Sequence, residues 1–70
     1  MERILRYAQK DFPAYKVLQL GWMIQIFYRG DVVVSISSNV IIFNDVVLEE
    51  KQLEAVLFIH KSLKIVEQEK

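Results

Sequence analysis

The apolar positions of residues 49–70, EEKQLEAVLFIHKSLKIVEQEK, recur at helical spacing and no Gly or Pro interrupts them. On a wheel of about 3.6 residues per turn, Leu53, Val56, Leu57, Ile59, Leu63 and Val66 form one wide apolar face. Phe58 and Ile65 fall outside that face and stack on a second stripe. The remaining polar wedge is narrow and is carried by Glu50, Glu54, Lys61, Lys64 and Gln68. A helix apolar over most of its circumference needs cover on more than one side. One small sheet covers one side, so a second subunit is the expected cover for the other, with additional intramolecular cover from the N-terminal segment as the alternative. Phe58, Ile65, Ser62 and Ile59 are the candidate dimer interface. The helix start carries its own signals. Glu49 with Gln52 makes half of a capping box, Leu48 and Leu53 are placed as a hydrophobic staple, and Glu49 and Glu50 suit the helix dipole.

Upstream, the period changes to two. Along WMIQIFY, Trp22, Ile24, Ile26 and Tyr28 point one way and Met23, Gln25 and Phe27 the other. Both sets hold large apolar groups, which predicts a central strand covered on both faces. Arg29-Gly30-Asp31 breaks the pattern, and Gly30 can supply the positive φ of a tight hairpin. A second strand follows with Val32, Val34 and Ile36 on its apolar face. Ser37-Ser38-Asn39 is a polar turn, and residues 40–43 are a third strand. Near the start, residues 2–9 suit a short helix with Ile4, Leu5 and Ala8 on one side and Arg3, Arg6 and Lys10 toward solvent. Pro13 disfavours helix at Phe12 and so ends that element. Residues 15–20 follow neither period cleanly. Pro13 before them and Gly21 after them favour a second short helix, with a strand bent at Gly21 as the alternative. The prediction is a single α+β domain spanning 1–70: a three-stranded antiparallel meander packed by a long C-terminal helix, with a short N-terminal helix.

Composition sharpens this picture at two points. A hydrophobic fraction of 53% in 70 residues, with no Cys to form disulfides, points to association as a source of stability. Nine basic and nine acidic side chains cancel, so the basic surplus that drives phosphate binding is missing and nucleic acid is a disfavoured partner. No apolar run has the length of a membrane span, and the charges of MERILRYAQK leave no signal-peptide core, so a cytoplasmic protein is expected.

Candidate chemistry changes little. Arg29-Gly30-Asp31 matches an integrin-adhesion tripeptide, but a hairpin tip explains the same three residues. Trp22, Phe27, Tyr28 and Phe43 could form a base-stacking platform, yet they alternate with Met, Ile and Val as core strands do. His60 sits between Val56 and Leu63 as a boundary residue, with a pH-sensitive contact as the sharper alternative. Ser35, Ser37 and Ser38 have no sequence link to His60. Asp45, Glu49 and Glu50 are explained by a turn and a helix start. No catalytic residue, cofactor or metal site is expected. The length and element order resemble small prophage-encoded proteins of the Yopt type, homodimers with three strands and one helix per subunit. That resemblance implies homodimerisation and a prophage origin, and it carries no site residues. The expectation is a non-enzymatic, homodimeric protein-interaction module. The alternative is a nucleic-acid-associated regulator using a surface assembled across the dimer.

Overall fold

The structure, a computed structural model, describes residues 2–68. Its elements in order are α1 (Glu2–Asp11), β1 (Lys16–Leu20), β2 (Met23–Tyr28), β3 (Asp31–Ile36), β4 (Ile41–Phe43) and α2 (Glu50–Gln68). The strands form one antiparallel sheet in the order β1-β2-β3-β4. The α+β class, the N-terminal helix and the long C-terminal helix are as the sequence predicts. The number of strands is not: there are four, because residues 16–20 are a strand and not a short helix. Four strands and two helices also depart from the three-strand, one-helix pattern of the resemblance.

The turns follow from backbone chemistry. β1 and β2 are joined by Gly21-Trp22, with Gly21 at φ 61°. A Gly at the first of two loop residues is the signature of a hairpin whose turn matches the strand twist. Gly21 therefore opens a hairpin, not a bend within one strand. Between β2 and β3, Arg29 (φ 52°) and Gly30 (φ 87°) are both left-handed. That is the pattern of a two-residue type I′ turn. Beyond it the register slips by one at Ile26/Phe27, so β3 holds an extra residue at Val33. Such a bulge bends and twists the strand locally.

Register decides which side chains meet. Val17, Ile26, Val34 and Phe43 lie across one face, with Gln19, Ile24, Ile36 and Ile41 in the next row. Ile24, Ile26, Val34 and Ile36 are fully buried there, beneath Ile4, Ala8, Phe12, Ala55, Val56, Ile59 and Leu63 of the helical layer. Both helices therefore cover the same face. The expectation that β2 is covered on both sides is corrected: its other face, with Met23, Gln25 and Phe27, has no layer above it, and all three are half-buried. Trp22 and Tyr28, predicted to share the apolar face, stand at the ends of the strand and stay about half exposed.

α2 begins as its signals predict: the Gln52 side-chain oxygen accepts from the Glu49 backbone N–H at 3.1 Å. Its buried stripe is narrower than the wheel suggests. Ala55, Val56, Ile59 and Leu63 are buried and Val66 is partly so, while Leu53 and Leu57 remain 42% and 53% exposed. Leu53 borders the end of the three-residue β4, where support runs out, and Leu57 projects from the side of the helix opposite the buried stripe.

Candidate functional site

The four predicted interface residues do not share a surface. Ile59 is fully enclosed by the chain's own core, so it is unavailable to a partner. Ser62 is half-buried, and its hydroxyl donates to the Phe58 carbonyl at 2.8 Å, a back-bond within the helix. Phe58 and Ile65 do stand on one stripe, 49% and 48% exposed. Phe58 already has an intramolecular neighbour: the Tyr7 ring of α1 lies 4.6 Å away, centroid to centroid. α1 thus supplies part of the cover for which a second subunit was expected.

Other apolar surface is equally open. The bare face of the sheet presents Leu18, Leu20 and Ile42, each exposed by a third or more, around the Gln25–Ser35 pair, where Gln25 Nε2 donates to Ser35 Oγ at 3.4 Å. Toward the tip of the β2–β3 hairpin this face deepens into a hollow of about 380 Å³ floored by Leu18 and Phe27 and rimmed by Lys16 and Arg29. The Arg29 guanidinium also lies 5.3 Å from the Tyr28 ring centroid, a cation–π distance. On the helical side, the apolar residues Phe43, Val46, Leu48 and Leu53 line a hollow of about 220 Å³ where β4 meets the start of α2. Val47, beside it in sequence, is 97% exposed.

The two edges of the sheet are treated differently. Along β1, the Gln9 side chain of α1 accepts from the Val17 N–H at 3.3 Å and donates to the Tyr15 carbonyl at 2.8 Å and the Phe12 carbonyl at 3.1 Å. One side chain so occupies the first outward-facing backbone groups of that edge. β4 has no counterpart. The Asn44 N–H donates to Val33 O and the Ser37 N–H to Val40 O, both at 2.9 Å, so the even-numbered residues of this strand face β3. Alternation then turns the N–H and C=O of Ile41 and Phe43 outward. Sequence reasoning placed β4 but had no signal for its position at an edge. The glutamine cap is likewise invisible without the fold.

His60 has a structural role. Its Nδ1 lies 2.7 Å from the Ser37 carbonyl, and since a carbonyl only accepts, Nδ1 carries the hydrogen. The ring pins α2 to the β3–β4 turn. Ser35 and Ser38 are buried and apart from it in role; Ser37 meets it through its backbone alone. Among the described residues no group of three or more His, Cys, Asp or Glu could hold a metal ion, and no helix is long and apolar enough to cross a membrane. No protein-family model, curated protein or solved structure matches this chain.

Proposed function

We propose that this chain is a non-enzymatic interaction module that works as a homodimer and binds a further protein. The observation that supports it is the amount of large apolar side chain left uncovered: Leu53, Leu57, Phe58 and Ile65 on α2, Val40, Ile42 and Phe43 around β4, and Leu18 and Leu20 on β1 all remain at least 37% exposed. Apolar side chains grouped on a surface are a mark of interaction sites, and Phe43 with Leu53 beside β4 is one such group. The same small chain encloses few side chains fully, so association would add stability that its own core supplies sparingly. A phage or prophage accessory role belongs to this proposal through the resemblance in length. Analytical ultracentrifugation over a wide concentration range tests it. A mass of two chains supports homodimerisation; a mass of one chain throughout removes it.

One observation favours a second reading. Lys16 and Arg29 rim a hollow with an apolar floor, an arrangement suited to an anionic ligand such as single-stranded nucleic acid. With no net charge to add to two cations, binding of mixed-sequence DNA or RNA at moderate salt should stay weaker than about 1 μM. Submicromolar affinity in a filter-binding assay, falling steeply with salt, would reverse the order of the two readings.

A further inference from the structure

We infer that two copies of this chain join edge to edge through β4, making one continuous eight-stranded antiparallel sheet; this rests on the homodimer proposed above and names its interface. An open strand edge is a template for pairing, and proteins that stay monomeric blunt it with charge, Pro, a bulge or a cover. β4 has none of these, and its length of three residues is the one feature that limits pairing: Ile41-Ile42-Phe43 is uncharged, its register with β3 is unbroken, and the outward backbone groups of Ile41 and Phe43 have no partner among the described residues. The opposite edge is partly closed by Gln9, which leaves β4 as the edge built to pair.

The edge is self-complementary. A two-fold axis through Ile42 sets Ile41 opposite the second copy's Phe43 and the reverse. Each of these two pairs exchanges both N–H···O=C bonds, since those are the residues whose groups point outward. Ile42 then faces its own copy as a non-hydrogen-bonded pair, the kind in which side chains stand closest. Flanking surface agrees on both sides of the sheet. On the bare face, Val40 and Ile42 are 47% and 46% exposed; on the helical face, Phe43 and Leu53 are 45% and 42% exposed. Leu53 lines one hollow with Phe43, so it is the residue of α2 that borders this seam. A two-fold axis here sets the same apolar hollow of each copy on either side of the joined strands. These four flanking side chains are uncharged, so they meet their own copies without like-charge repulsion.

Cysteine pairing supplies the test, because the chain contains no Cys of its own. In a non-hydrogen-bonded antiparallel pair the Cα atoms are about 4.5 Å apart, within the span of a disulfide. Ile42→Cys should therefore oxidise to a covalent dimer with oxidised glutathione at least about tenfold faster than Leu18→Cys, an exposed position away from the seam. Ile42→Lys sets two ammonium groups opposite each other and removes the apolar contact of two Ile side chains, so together these should raise the dimer dissociation constant by about tenfold or more. Circular dichroism confirms that the variant is folded. Ile65→Cys reads the rival surface on α2. A wild-type dimer whose Ile65→Cys variant crosslinks rapidly while Ile42→Cys does not overturns the β4 interface and leaves the homodimer standing. A wild-type chain that is monomeric at all concentrations overturns both.

Discussion

At the scale of single residues, the β2–β3 hairpin turns on one glycine. Gly30 has φ 87°, and a Cβ there would meet no atom within 4 Å. Any penalty for a side chain is therefore a backbone penalty and not a clash. For an L-residue held left-handed the cost is about 1–2 kcal/mol, and β-branching adds to it. Gly30→Val should lower the melting temperature by roughly 4–8 °C for each kcal/mol lost, as expected for a domain of this size. Asp31→Ala, next to it and exposed, should stay within about 0.5 kcal/mol of the parent. Paired thermal melts decide the matter, and a neutral Gly30→Val would mean that the turn relaxes to another type. The need for a positive φ at Gly30 was legible in the sequence. The left-handed Arg29 was not, because only the two-residue loop length imposes it, and that length depends on where the strands begin to pair.

Elements were legible wherever one face is buried and the other polar, and became obscure wherever that contrast fails. α2 announces itself by length, capping and staple. The width of its buried face depends on what lies beneath it, which is why Leu53 and Leu57 were assigned to the core and are found outside it. In β1 the usual contrast is inverted: Val17 and Gln19 face the helical side, while Leu18 and Leu20 face the bare side. A strand with apolar groups on its open face and a glutamine on its covered one shows no clean period, and the flanking Pro13 and Gly21 then suggest a helix that does not exist. Gln9 ties α1 to this strand. Gln9→Ala would release the Val17 N–H and the Tyr15 and Phe12 carbonyls together. Those groups are mostly exposed and water replaces the lost partner, so the expected cost is about 1 kcal/mol. The sharper expected outcome is faster aggregation of Gln9→Ala than of Lys10→Ala, followed by light scattering, because a second sheet edge is then open.

The whole molecule poses the question of how seventy residues remain folded while so many large apolar groups stay in water. Small domains have only a few kcal/mol of net stability. The one ion pair among the described residues, Arg6 with Glu2 at 3.5 Å, is over four-fifths exposed on both sides and adds little. Association changes the balance, because any state that binds the native chain and not the unfolded one raises apparent stability with concentration. For a chain that unfolds from dimer to two monomers, each tenfold rise in concentration adds about 1.4 kcal/mol per dimer. Set against an unfolding entropy of about 2.1 cal/mol/K for every residue of both copies, this moves the midpoint by roughly 3–6 °C. Calorimetry or circular dichroism over a hundredfold concentration range should therefore show a rise on the order of 10 °C. Gly30→Val should shift that whole line downward without changing its slope, since it leaves the outward backbone groups of Ile41 and Phe43 unchanged. Ile42→Lys should flatten the line toward the monomer's own midpoint. A wild-type midpoint constant within about 1 °C over the range would show that the core is sufficient alone. The exposed stripes of β4 and α2 would then be cover for some other protein and not for a second copy of this one.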